Sequence, residues 1–242
     1  MKNSIEVINL SKSYKTKKAV NNISFKIDEN EIVGLLGPNG CGKTTTIGMI
    51  LGLLKPTSGQ VLINGKNIEN NKISILHKMN FISPYIELPK KLTVKQNLIV
   101  YGKLYNIKNL NERINFLSEK LRLGDLLDKI TGELSSGQKN RVSLAKALIN
   151  DPTVLLLDEP TAALDPETAD FIRTFLEKLR EEKKISVLLA SHNMDEVKRL
   201  CNSVMMMKDG NIVDSGTPED LIKKYGQKNL EEVFLEIVRN DK

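Results

Sequence analysis

The chain has 242 residues, 40% apolar and 27% charged, with 36 Lys and Arg against 30 Asp and Glu; this is an ordinary globular composition with enough length for a sizeable core. No run approaches the roughly 18 apolar residues of a bilayer span, and the polar start MKNSIEV lacks the apolar centre of a secretion signal, so residence in the cytosol is expected. The net charge of +6 is scattered among acids, which fits a solvated surface rather than a nucleic-acid partner, and Cys41 and Cys201 belong to no metal-ligand pattern and suit a reducing compartment.

In chain order, residues 20–27 (VNNISFKI) end in strict alternation, which predicts a strand with one wet face. The apolar run Ile32–Leu36 predicts a buried strand, and a helical stretch follows to about Leu54. Asn64-Gly65, within residues 61–66, is the turn signal of an antiparallel hairpin. Between about Tyr85 and Gly132 apolar residues recur at helix spacing, at Val94, Leu98, Tyr101 and Tyr105 and then at Leu110, Ile114, Leu117 and Leu121, with Thr93 and Gln96 as a capping box. A further helix opens at Ser135 and runs to about Asn150, where Asp151-Pro152 stops it.

Runs 154–157 and 187–190 read as two more buried strands of a parallel sheet. Asp165-Pro166 and the pair Asn193 and Glu196 open helices. Asp209-Gly210 marks another hairpin, and Thr217-Pro218-Glu219-Asp220 opens a C-terminal helix. The expected fold is α/β and forms a single domain. Residues 1–84 and 151–242 form a core with a mostly parallel sheet and an antiparallel β flank, and residues 85–150 form an inserted helical subdomain.

Gly37-Pro38-Asn39-Gly40-Cys41-Gly42-Lys43-Thr44 matches G-x-x-x-x-G-K-[ST] between that first buried strand and its helix, the phosphate loop of a P-loop NTPase core. Glycines let the backbone curl so that successive N–H groups point at phosphate oxygens, and the helix N-terminus adds partial positive charge. Lys43 supplies a full charge to the β and γ phosphates, the Thr44 hydroxyl is placed to ligate Mg²⁺, and Thr45 joins the nucleotide-binding residues. Cys41 reads as a space-filling residue within the loop.

VLLLDEP ends a buried strand with two acids. Asp158 can hold Mg²⁺, while Glu159, on the other side of the pleat, faces a water near the γ-phosphate; two acids can also merely cap a strand. His192 follows the third buried strand, on the same rim, so its imidazole can reach the γ-phosphate or that water, although a lone histidine can equally be structural. In ELSSGQ, residues 133–138, a serine N-cap at Ser135 is by itself a complete explanation.

The order of these features, a phosphate loop, a helical insert, LSSGQ, LLLDEP, AALD and SHN, resembles the nucleotide-binding subunit of ATP-binding cassette (ABC) transporters over essentially the whole chain. The resemblance implies an ATPase, converting ATP and water to ADP and phosphate with Mg²⁺ as cofactor. Two subunits, identical or close paralogues, close head to tail with ATP between them. Ser135 and the Gly137 N–H of the signature loop, with Ser136 and Gln138 beside them, then serve the neighbour's nucleotide, and loss of the γ-phosphate opens the pair. Tyr14 matches the aromatic that stacks on adenine, and Asp165 the loop that joins the two sites.

The resemblance also implies a separate integral membrane permease, docked on the helical lobe and residues 83–92, with this subunit peripheral on the inner face of the cell membrane; the wording of residues 83–98 and the short C-terminus point to export. Three positions depart from the family pattern. Ser136 stands in place of a glycine, Ala162 where many relatives have serine, and Pro84 near where a glutamine usually reaches Mg²⁺ and water. A chromosome-maintenance ATPase head would need long coiled coils, which the sequence lacks, and a non-hydrolysing switch module is disfavoured by Glu159 and His192.

Overall fold

The computed structural model describes residues 3–84, 86–162 and 164–239; Tyr85 and Ala163, both within the motifs quoted above, lie outside the described residues. The chain opens with two long antiparallel strands, β1 (Asn3–Tyr14) and β2 (Lys17–Asp28), and continues through β3 (Ile32–Leu36) into α1 (Lys43–Ile50). There follow β4 (Ser58–Ile63), β5 (Lys66–Asn67), α2 (Lys72–Leu76) and β6 (Met79–Ile82). The helical segment holds α3 (Val94–Leu104), α4 (Leu110–Lys120) and α5 (Ser136–Leu148). The chain then returns through β7 (Val154–Asp158), α6 (Pro166–Glu182), β8 (Ser186–Ala190), α7 (Met194–Leu200), β9 (Ser203–Lys208), β10 (Asn211–Gly216), α8 (Pro218–Tyr225) and α9 (Leu230–Arg239).

Two sheets result. One has the order β2-β1-β4-β5 and is antiparallel; the other has the order β10-β9-β3-β8-β7-β6 and is parallel except for the β9/β10 hairpin at one edge. Every residue of β3, β7 and β8 is buried, as expected when both faces of a parallel sheet are covered. Their side chains alternate between two cores. Ile32, Leu36, Leu155, Leu157, Val187 and Leu189 pack with the α3 to α7 side, whereas Val33, Leu35, Val154, Leu156, Leu188 and Ala190 pack with α1 and the antiparallel sheet. At about 1.5–3 kcal/mol for each large apolar side chain buried, this three-stranded centre is the rigid part on which a site can be built.

The parallel register also aligns the strand ends. Leu35 and Asp158 both pair with Ala190, and Ile82 pairs with Leu157, so the loops leaving β3, β6, β7 and β8 emerge on one rim. The carboxyl edge of such a sheet is where α/β proteins place ligands.

The structure extends the sequence expectation at several points. The helical insert departs after β6, a further parallel strand that the sequence reading did not separate. Its first helix begins with the expected capping box, in which Thr93 Oγ1 accepts the Gln96 N–H and Gln96 Oε1 accepts the Thr93 N–H. The insert shares one core with the sheet, since Leu98, Leu117 and Leu144 pack in the cluster that holds Leu155 and Leu157. Helix α1 ends at Ile50 rather than Leu54. Gly52 adopts a φ of 64°, and the N–H groups of Leu53 and Leu54 both turn back to Gly48 O.

Candidate active site

The phosphate-type loop leaves β3 at Leu36 and becomes α1 at Lys43. Gly42, at the α1 N-cap, has a φ of 115°, and a Cβ there would collide with Ala19 O and the Met207 side chain; a Cβ at Gly37 would collide with Met207 O and Cys41 Sγ. No side chain caps α1, and its first turn carries no acid. Its first N–H groups therefore remain available to an anion, backed by the positive end of the helix.

The Lys43 ammonium lies over its own loop, donating to Gly37 O at 2.6 Å and Pro38 O at 3.1 Å. Cys41 is buried in the α1 core, and burial pushes its thiol up, as expected of a filler. The Asp209-Gly210 hairpin turn braces the loop from behind: Gly210 N–H donates to Cys41 O at 2.9 Å, and Asn21 N–H donates to Gly210 O at 2.8 Å.

Asp158 is the last residue of β7 and is buried. Burial, then the neighbouring Glu159 charge, raises its carboxyl above the ordinary range, against the pull of Lys43 and of Ser83, whose Oγ stands 3.5 Å from Asp158 Oδ2. Glu159 does not simply take the opposite side of the pleat, as the alternation predicts. Its φ is 51°, a left-handed conformation costly for a side chain, and it is held there by its N–H donating to Ala190 O at 2.8 Å. That turn swings its carboxylate onto the next loop, where Oε1 lies 2.7 Å from His192 Nδ1 and Oε2 accepts the His192 N–H at 3.4 Å. The Glu159 side chain is 17% exposed and that of His192 69%. The acid is sheltered and the imidazole faces outward.

Tyr14, Gly37, Pro38, Asn39, Gly40, Gly42, Lys43, Thr44, Thr45, Asp158, Glu159 and His192 all line a single cleft of about 690 Å³, with Cys41 beneath its floor. Tyr14 stands at this cleft 46% exposed, with the Lys12 ammonium 5.2 Å from its ring centre. Phe234 of α9 also lines it, a residue that sequence reasoning missed; the pattern of α9 is amphipathic, but nothing in it marks Phe234 as facing a cleft.

Ser135, Ser136, Gly137, Gln138 and Asp165 do not line this cleft. They start two helices elsewhere. Ser135 Oγ accepts the Gln138 N–H and Gln138 Oε1 accepts the Ser135 N–H, a reciprocal cap beyond the simple serine cap the sequence suggested. A Cβ at Gly137 would stand 3.0 Å from Thr168 Oγ1, so glycine lets α5 approach α6 closely. Asp165 caps α6, and the Thr168 N–H and hydroxyl hold its carboxyl below the usual range. Ser136 lines an adjoining cleft of about 240 Å³ together with Ser83, Pro84, Glu159 and Ala162.

A phosphate loop, paired acids and a histidine at the carboxyl edge of a parallel sheet, with a separate capped Ser-Ser-Gly turn, form a specific combination. The profile described as "ABC transporter" matches residues 20–162. The chain belongs to the ABC transporter ATPase family. A second profile, described as "AAA domain, putative AbiEii toxin, Type IV TA system", overlaps the shorter stretch 132–197. Among characterised ABC proteins, the chain is 35% identical over 221 residues to the Nod factor export ATP-binding protein I of Burkholderia lata, covering 90% of this chain and 72% of that one.

It is also 35% identical over 229 residues to the choline transport ATP-binding protein OpuBA of Bacillus subtilis (strain 168); this covers 93% of the chain but only 60% of that relative's length. In three dimensions it superimposes with a TM-score of 0.80, at 27% identity, on the dimeric post-hydrolysis state of the ATP-binding cassette MJ0796 bound to ADP and Pi, covering 88% of this chain and 98% of that one. This ABC chain is thus an ATPase domain with the fold of that cassette. No helix among its described residues is long and apolar enough to cross a membrane.

Proposed function

We propose that this chain hydrolyses ATP to drive export through a separate integral membrane protein, and that two copies, or this chain and a close paralogue, sandwich each ATP head to tail. The observation that carries the reading is the separation of the two helix N-termini. The phosphate loop lines the 690 Å³ cleft with Asp158, Glu159 and His192, whereas Ser135 to Gln138 and Asp165 lie off it. In this reading a nucleotide held in the cleft meets the signature turn of a second subunit.

In this reading the loop N–H groups and Lys43 hold the β and γ phosphates, and Tyr14 stacks on the base. Thr44 and Asp158 would hold Mg²⁺. They fit, because both offer hard oxygen donors at one cleft and the buried Asp158 carboxyl makes a long 3.5 Å contact to Ser83 Oγ. When bound, the ion neutralises charge on the phosphate oxygens. Glu159 is the general base for the attacking water. Its carboxylate fixes His192 through Nδ1, which leaves Nε2 to reach the γ-phosphate. Pro84, near where the family carries its glutamine, lines both clefts, and Ser83 is the polar group nearest Asp158 on that loop.

The permease docks on the 85–150 lobe and residues 83–92, which places this subunit on the inner face of the membrane. Two exposed apolar side chains of α3 support this, Leu104 at 69% and Val100 at 44% exposure. The Nod factor relative, named for export, supports the direction. Three measurements test the proposal. ATP turnover per subunit rises with protein concentration, an integral protein co-purifies from the native membrane, and inverted vesicles carrying both subunits accumulate cargo when ATP is added. Turnover independent of concentration at dilutions that keep the chain monomeric contradicts it.

A further inference from the structure

Glu196 is completely buried in the first turn of α7. It is not spent on capping that helix, because the Asn193 N–H that a glutamate at this position would accept donates instead to Ser191 Oγ at 3.1 Å, while Asn193 Oδ1 accepts the Glu196 N–H. Its carboxylate turns inward, where Oε1 accepts the Thr161 hydroxyl at 2.8 Å and Oε2 accepts the Ser191 hydroxyl at 2.6 Å. Both donors are themselves buried. Ser191 Oγ also accepts the Asn193 N–H at 3.1 Å, so its own proton is committed to Glu196.

Thr161 follows Glu159 by two residues, and Ser191 immediately precedes His192. One carboxylate thus joins the two loops whose side chains meet at 2.7 Å on the rim. Burial pushes the Glu196 carboxyl up, while the two hydroxyls and the Arg173 charge work the other way. A carboxylate in such a place is tolerated only when it is hydrogen-bonded, and an apolar side chain would be cheaper in a purely structural role.

We propose that Glu196 is a positioning residue for hydrolysis: it clamps the turn after Glu159 to the turn before His192, so that the base and the imidazole keep their register. This rests on the roles given above to Glu159 and His192. A bridge of this kind acts on the reacting geometry and leaves nucleotide binding alone, since neither Thr161 nor Ser191 lines the cleft.

The test is a mutant cycle read by single-turnover ATP hydrolysis and by ATP affinity. Thr161→Val, which keeps shape and loses the hydroxyl, and Ser191→Ala each slow hydrolysis about 10- to 100-fold with ATP affinity unchanged, and Thr161→Ser restores the rate. In a His192→Ala background the same changes cost less than about twofold, because the register they maintain no longer matters. Losses that multiply in full in that background, a fall in ATP affinity with hydrolysis intact, or a Thr161→Ser chain as slow as Thr161→Val overturn the clamp. Glu196→Gln, which keeps one acceptor, falls between wild type and Thr161→Val; if that variant does not fold, the three threonine and serine variants carry the test alone. A Glu159→Gln control separates two failures: normal turnover there removes the base and the clamp together, whereas lost turnover with multiplicative losses removes the clamp only.

Discussion

Helices α1 and α5 both begin at loops containing glycine and small polar residues, yet their N-termini are finished in opposite ways. At α1 the N-cap is Gly42, which offers no side chain, and the loop opens into the cleft that Asp158 and Glu159 share. At α5 Ser135 and Gln138 cap one another, and the turn lies off that cleft, with Ser136 lining the adjoining one. The open end leaves its N–H donors to a ligand bound by the same chain. The closed end consumes the Gln138 N–H and leaves the N–H groups of Ser136 and Gly137, which a helix cannot satisfy internally, together with the Ser135 hydroxyl proton. In the proposed function, one turn holds an anion by itself and the other keeps its shape for an anion brought by a second subunit.

The largest expected effect separates gripping from cleavage. Glu159→Gln leaves both helix ends intact, and it should lower the hydrolysis rate about 10²- to 10⁴-fold while ATP remains bound and a closed dimer accumulates on size exclusion. Wild-type turnover in this variant would mean that the base is misassigned. Lys43→Ala attacks the open end itself. Loss of charge-assisted contacts worth about 1.5–3 kcal/mol should weaken ATP binding about 10- to 150-fold, measured by titration calorimetry. Unaltered affinity would show that Lys43 stays on Gly37 and Pro38 rather than moving to phosphate.

At the closed end, Ser135→Ala should leave ATP affinity of the dilute chain unchanged and lower turnover about tenfold. It should also cost about 1 kcal/mol of folding stability through the lost cap, read as a fall in Tm. A drop in Tm without loss of turnover would reduce this turn to a helix cap. The smallest effects belong to Cys41, which the comparison makes a filler. Cys41→Ala should keep ATP affinity within about twofold, because the loop binds through its backbone. Burial raises the thiol, so thiolate is scarce at neutral pH; alkylation of the folded chain should be at least about tenfold slower than in denaturant and still accelerating as pH rises past the ordinary thiol range.

The sequence revealed most where one physical requirement governed a run of residues. The runs Ile32–Leu36, 154–157 and 187–190 are apolar because both faces of β3, β7 and β8 are covered, and the capping residues Thr93, Asp165, Asn193 and Thr217 each accept the expected N–H. Strand β6 escaped notice because Asn80 interrupts its apolar pattern; that amide is buried and donates to Asn150 Oδ1 at 3.0 Å, a partner 70 residues away. Strand β1 carries register shifts and a left-handed Asn9 at φ 48°, which break its alternation.

The phosphate loop could be read because its glycines answer to local collisions. The aim of Glu159 could not, since a positive φ at a glutamate leaves no compositional trace. Nor could the bond from Glu196 to Thr161 across 35 residues, or Phe234 at the cleft wall, because both follow from how distant elements pack.

The central claim is that a working site takes its phosphate loop from one subunit and its signature turn from another, and mixing two disabled chains tests it most directly. A Lys43→Ala chain and a Ser135→Arg chain should each be nearly inactive alone. Mixed in equal amounts, they should recover activity, because each mixed dimer pairs one intact loop with one intact turn, giving about a quarter of the wild-type number of sites. A Ser135→Arg chain that hydrolyses ATP at the wild-type rate by itself, or a mixture that stays as inactive as its parts, would contradict the account.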